Sequence, residues 1–412
     1  MKLKTLSTAM ILATLPMTGA FAAALDRSGQ SVAAFLQPGN YFEAGISVLD
    51  PNVSGKAKAN GSNLSDMAGD YYFPSAALKL QLTDNFSFGL IYDQPFGADA
   101  TYSLSDSALS ITGDGLFRST TESTEVEVET QNISMIFGVQ PIENLNIYAG
   151  GVYQTVEGDV QLRGLAYGGP TAFSAYNAKI KEESGAGWLA GIAYSIPEIA
   201  LKASLTYRSE IDHNATAVET IAGNDLSLLG YSQGKTKITT PQSVNLDFQT
   251  GIMEDTVAFA NVRWVNWEDF AIRPHQFGQH ANNVSAAATG GLYNKGFNLV
   301  DYSDDQWSAN VGVGRKLSEQ WAGNVSVGWD SGAGNPVSTL GPTEGYWNLG
   351  LGLQFSPAEN YFIAGGVKYF WLGDATAHSG AYSIPGNAEN AQVAKFEDND
   401  AWAYGLKIGY RF

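Results

Sequence analysis

The chain has 412 residues, enough for one large domain or a few ordinary ones. It holds no cysteine, which removes disulfides, thiolate metal sites and a cysteine nucleophile, and its net charge of −18 argues against nucleic acid as a partner. Charged residues make up only 16%, while 46 glycines and 12% aromatics are both high, a composition suited to a sheet with one non-aqueous face.

The first element, MKLKTLSTAMILATLPMTGAFAAA (1–24), has Lys2 and Lys4, a short apolar stretch and a small-residue end. That is the layout of a cleavable secretory signal, and its apolar part is too short to span a bilayer. No other apolar run is long enough for a membrane helix. Residues 25–40, LDRSGQSVAAFLQPGN, are short and mixed in polarity and precede the first strand.

From residue 41 onward the apolar side chains recur with period 2, as in strands. Phe42, Ala44, Ile46 and Val48 line one face of a leading strand. Six hairpins follow, turning near Asp84, Glu143, Glu198, Glu254, Glu319 and Glu359, and each begins and ends on an alternating apolar stripe. The closing strand, AWAYGLKIGYRF, puts Trp402, Tyr404, Leu406, Ile408, Tyr410 and Phe412 on one face. Six pairs plus two strands predict fourteen antiparallel strands, with all short turns at one end.

The other connections, 50–71, 97–122, 158–185, 210–237, 272–304, 331–345 and 374–399, are long and rich in Gly, Ser, Asn, Ala and Asp. Short turns alternating with long polar loops, with large aromatics such as Tyr207, Trp264, Trp307 and Trp371 at strand ends, indicate an outer-membrane barrel. The expected fold is therefore all-β, a 14-stranded antiparallel transmembrane β-barrel over 41–412. Such a lumen is too wide for wall side chains to fill, so 25–40 is expected to act as an N-terminal plug.

The segments LDPNVSG (49–55), NFSFGLIYDQPFGADATY (85–102), LTYRSE (205–210), NWEDF (266–270) and GWDSGAGNPV (328–337) resemble, in this order, the FadL family of outer-membrane transporters. That resemblance spans nearly the whole chain after the signal and implies passive uptake of long-chain fatty acids or similar hydrophobic molecules. The family usually carries a longer N-terminal hatch with an Asn-Pro-Ala motif, whereas this chain reads LQPGN.

Several site expectations follow. Pro95 removes a ladder donor and Gly97 permits a bend, so Pro95, Phe96 and Gly97 are the expected lateral gate; the resemblance implies a kinked third strand and a sideways exit here. Leu162, Leu165, Tyr167 and Phe173 form one apolar island, and Leu226, Leu228, Leu229 and Tyr231 another. The resemblance implies a binding groove between those two loops, and an arginine at Arg163 that meets a ligand carboxylate. Phe35 and Leu36 of the plug are expected to line the pocket from below. Alternation turns Arg208 and Glu210 into the lumen, where they would form a wall ion pair.

The four histidines, His213, His275, His280 and His378, all lie in expected loops and in no catalytic or metal motif, so no enzyme, metal site or cofactor is expected. The expected partners are a hydrophobic small molecule and the lipid and lipopolysaccharide of a Gram-negative outer membrane, with the barrel as a monomer. An uptake channel for aromatic or aliphatic hydrocarbons is the alternative within transport, and an aqueous general-diffusion porin the alternative outside it.

Overall fold

The computed structural model describes residues 25–169 and 172–412, so the signal expected at 1–24 lies outside the described residues. The wall strands are β1 (Tyr41–Asn52), β2 (Tyr71–Thr83), β3 (Phe86–Asp93 and Gly97–Thr101), β4 (Glu125–Ile142), β5 (Leu145–Arg163), β6 (Ala175–Ile196) and β7 (Leu201–Arg208 and Ile211–Ile221). They continue as β8 (Ser243–Met253), β9 (Thr256–Val265), β10 (Gln306–Lys316), β11 (Trp321–Asp330), β12 (Tyr346–Ala358), β13 (Tyr361–Leu372) and β14 (Asp400–Arg411). Each pairs antiparallel with its sequence neighbours, and β1 closes on β14 with Phe42 opposite Tyr410 and Ile46 opposite Leu406. Closure matters because an unpaired backbone amide in hydrocarbon costs several kcal/mol.

Along β14 the wall inverts the burial order of a soluble protein. Trp402, Tyr404, Leu406 and Ile408 face outward, while Ala401, Ala403 and Lys407 are buried inside. Lys407 is charge-paired to Glu43 at 3.2 Å. The outward aromatics form a belt across neighbouring strands: Trp264 opposes Trp307, Trp329 opposes Trp347, and Trp347 opposes Trp371. Such a row belongs at the membrane–water interface.

Above that belt the pattern reverses. In β4, Ile133, Met135 and Phe137 point out while Asn132 and Ser134 are buried. Eight residues earlier in the same strand, Val126 and Val128 are buried and Glu125, Glu127 and Glu129 are exposed. Water has replaced lipid outside, and loop side chains have replaced the polar lumen inside. This reversal corrects two loop boundaries. Within 158–185 and 210–237, both expected as loops, residues 158–163, 175–185 and 211–221 are wall: β5 runs to Arg163, β6 starts at Ala175, and β7 continues to Ile221. A second correction concerns 272–304, which contains α1 (His275–Ala288). Its first turn is held by Glu219 of β7, whose carboxylate accepts from the backbone N–H groups of Gln276 (2.9 Å) and Phe277 and from the Tyr176 hydroxyl (2.9 Å). A carboxylate at a helix N-terminus satisfies donors the helix itself cannot.

Residues 25–40 lie inside the cylinder. Phe35 is buried against Tyr148, ring centroids 5.6 Å apart, and over Gly89 and Gly138, where any Cβ would collide with its ring. Two wall lysines hold the segment's far end: Lys79 donates to the Gln37 carbonyl (2.7 Å) and Lys202 to that of Leu36 (2.9 Å).

Candidate functional site

Among the described residues the ladder between neighbouring wall strands is interrupted between β6 and β7, over 210–216 of β7, and beside β3. The first half of β3 pairs with β2 as far as Tyr92, opposite Ala76. After Asp93 the strand leaves β2, and Gly97–Thr101 pairs with β4 on one edge while its other edge meets residues 67–69, where the Thr101 N–H donates to the Met67 carbonyl (2.8 Å) and the Gly69 N–H to the Asp99 carbonyl (3.1 Å). On that side Tyr71–Ser75 of β2 are left with β1 as their only strand neighbour. Pro95 sits within the break, and Phe96 turns inward onto Trp267, centroids 5.5 Å apart. Thr130 repairs part of the ladder: its hydroxyl accepts from the Phe96 N–H (2.9 Å) and donates to the Phe96 carbonyl (2.6 Å). The inner segment covers the break from within. The Arg27 N–H donates to the Pro95 carbonyl (2.7 Å), and the Gly97 N–H to the Leu25 carbonyl (2.9 Å). A small cavity of about 20 Å³ lies beside the break, lined by Phe73 and Ser75 of β2, by Asp93 and Gln94 where β3 breaks, and by Arg27 and Ser28 of the inner segment.

Above the break lie two further cavities. The outer one, about 250 Å³, is lined by Leu162, Leu165, Tyr167 and Phe173 of the first expected island. The second island contributes nothing to it: Leu226 is fully buried in the loop core, Leu228 and Leu229 are 81% and 53% exposed, and the Tyr231 hydroxyl meets His280 Nδ1 at 2.7 Å. Its place is taken by Phe277 and Val284 of α1 and by Phe297, Leu340 and Val393 from later loops. Those residues stand singly among Gly, Ser and Asn, so no apolar island marks them in the sequence. α1 leaves a fainter trace, with Phe277, Ala281 and Val284 spaced as one helical face. Among the described residues, none lining this cavity carries a charge; its polar groups are neutral, among them Tyr167, Thr339, Asn298 and Asn390. The inner pocket, about 50 Å³, lies between Leu25, Val53, Met67, Val126, Val300 and Leu340, with Arg27 at its edge.

The charged residues singled out in the sequence have other engagements. All five N–H donors of Arg163 are taken: Nε meets Glu122 at 2.7 Å, Nη1 the carbonyls of Leu162 and Tyr176, and Nη2 the side chains of Gln161 and Asn177. A ligand carboxylate would have to displace one of them. Arg208 is buried in the lumen, but Glu210 is not its partner. β7 is interrupted after Arg208, and the irregular step leaves Glu210 exposed. Arg208 instead donates to Ser134 Oγ (3.0 Å) and to the Gln30 carbonyl (3.2 Å) of the inner segment. Phe35 and Leu36 line a third cavity, about 390 Å³, below the segment with Lys79, Lys202 and Asp247, rather than the outer cavities.

Sequence reasoning missed a stronger ion pair. Asp26 and Arg263, 1% and 3% exposed at the side chain, meet at 2.7 Å between the inner segment and β9. Alternation along β9 turns Arg263 inward, but nothing in the sequence indicates which residue of 25–40 it meets.

The sequence matches the family described as Outer membrane protein transport protein (OMPP1/FadL/TodX) over residues 24–412. None of the curated proteins matches it. Among solved structures the chain is similar to a Pseudomonas aeruginosa FadL homologue, at 14% identity over 97% of this chain and 98% of that one, with a TM-score of 0.68. It is also similar to the Pseudomonas putida toluene transporter TodX, at 12% identity over 96% and 97% of the two chains and a TM-score of 0.61. The Ralstonia pickettii toluene transporter TbuX aligns at 11% identity over 96% and 97%, with a TM-score of 0.55. At these identities the likeness speaks to the fold.

Proposed function

The chain belongs to the OMPP1/FadL/TodX family of outer-membrane transport proteins, and on that premise we propose that it admits small uncharged hydrophobic molecules through the outer membrane of a Gram-negative bacterium. The route begins in the outer cavity, passes the inner pocket and leaves sideways at the break in β3. The single observation that carries the choice of substrate is that, among the described residues, none lining the outer cavity is charged. An apolar molecule gains about 0.8 kcal/mol per CH₂ on leaving water, so such a cavity collects it without further help. An ionised fatty-acid headgroup entering the same space would lose its hydration unpaired. The cavity, about 250 Å³, exceeds the roughly 150 Å³ of apolar space that takes up benzene. Two structural relatives are toluene transporters, which agrees with a substrate of this size. The inner segment and its buried contacts argue against an aqueous porin.

The test is uptake of radiolabelled toluene and oleate by cells whose own outer-membrane uptake channels are deleted and which carry this protein. Toluene accumulation above the empty-vector rate, with oleate at background, is the expected result. Oleate uptake without toluene uptake would return the substrate to long-chain fatty acids.

A further inference from the structure

The two cavities on this route meet at one strap, Ser338–Leu340. Thr339 and Leu340 line the outer cavity, Ser338 and Leu340 the inner pocket, and among the described residues Leu340 is the one common to both linings. The strap's backbone is fixed. Tyr102 donates to the Thr339 carbonyl (2.7 Å), Tyr167 to Thr339 Oγ1 (3.1 Å), and the Thr339 N–H to the His378 carbonyl (3.1 Å). Val337 and Ser338 also pair with Ala377 and His378. What remains to move is the Leu340 side chain, itself only 5% exposed.

The volumes say why it must move. The outer cavity holds about 250 Å³ and the inner pocket about 50 Å³, and a benzene ring occupies a cavity of roughly 150 Å³. A ring therefore rests in the outer cavity and cannot enter the inner pocket while Leu340 keeps its position. A rotamer change that swings its two methyls aside joins the two spaces. We propose that Leu340 is the size-selecting gate between capture and exit. The proposal rests on the uptake reading above and adds to it the residue that sets which molecules pass.

The experiment uses the full chain reconstituted in liposomes, with toluene and the bulkier 1,3,5-trimethylbenzene as probes, and heat-modifiable gel migration to verify folded barrels. Leu340→Ala is expected to raise trimethylbenzene uptake relative to toluene roughly tenfold, the scale set by no longer displacing a buried aliphatic side chain. Leu340→Phe is expected to slow both probes, trimethylbenzene more than toluene, and so to shift the ratio of the two rates in the opposite direction. Folded variants that keep the wild-type ratio of the two rates overturn the gate. Wild-type protein that passes neither probe overturns the uptake reading instead, so the two failures are told apart.

Discussion

Asp26 and Arg263 make the inner segment part of the wall. Besides the 2.7 Å contact, Arg263 Nη1 donates to Asn245 Oδ1 (2.8 Å) and Nη2 to Gln30 Oε1 (3.0 Å), so one guanidinium ties two residues of the segment to β8 and β9. A buried pair adds little net stability over an apolar replacement, but breaking it by removing one partner costs about 3–5 kcal/mol, because a charge is left uncompensated. The pair therefore specifies where the segment sits. Asp26→Asn is expected to loosen residues 25–30 and to give open-channel events in planar bilayers that the wild type lacks. A silent bilayer with an unaltered urea midpoint would sink this assignment. Arg163 makes the complementary point: an arginine recognised through a family resemblance has its donors fully taken by the strands around it.

At the scale of elements, the membrane-embedded halves of the strands were legible because lipid demands an unbroken apolar stripe, and Val325, Val327 and Trp329 supply one in β11. The six short turns were legible for the same reason, since each interrupts such a stripe. Above the aromatic belt the stripe changes sides, so β5 from Gly158 and β6 as far as Gly185 read as polar loop although they are wall. The outer cavity was half legible: its island Leu162 to Phe173 is compact in sequence, whereas its remaining wall comes from five separate stretches, at 116, 277–284, 297–299, 339–340 and 379–393, that meet only in the fold. The loop that carries Leu340 also carries a titrating group. Burial pushes the Glu344 carboxyl up from its ordinary 4.5 to about 7, aided by Asp304, while the N–H groups of Gly334 and Ala333 oppose the shift. Because the folded loop prefers the protonated acid, its stability is fully present below pH 4.5 and declines as pH rises to about 7. Amide protection across 331–345, taken relative to the intrinsic base-catalysed exchange rate at each pH, should accordingly fall between pH 5 and pH 7, and Glu344→Gln should remove that fall. Equal protection at both pH values in the wild type would contradict it.

For the whole molecule, the decisive feature is that the wall break and the inner segment share residues. Leu25 and Arg27 supply the backbone partners of Pro95 and Gly97, and the neighbouring Asp26 is the anchor to Arg263. Clearing the opening therefore requires the segment to shift, and a shift of the segment weakens the cover over the opening. A molecule leaving by this route enters lipid directly and never crosses an aqueous layer, which is where the hydrophobic gain of capture would otherwise be lost. The competing route is downward, past Phe35 into the cavity of about 390 Å³ that faces the opposite end of the barrel. The absence of cysteine allows the two to be separated cleanly. Ser75→Cys places a thiol at the wall opening and Asn146→Cys places one in the lower cavity. Modification with a bulky thiol reagent should suppress toluene uptake in the first and spare it in the second, with both unmodified variants transporting normally. Suppression only at Asn146→Cys would make the lower cavity the exit and reduce the break in β3 to a feature of the fold.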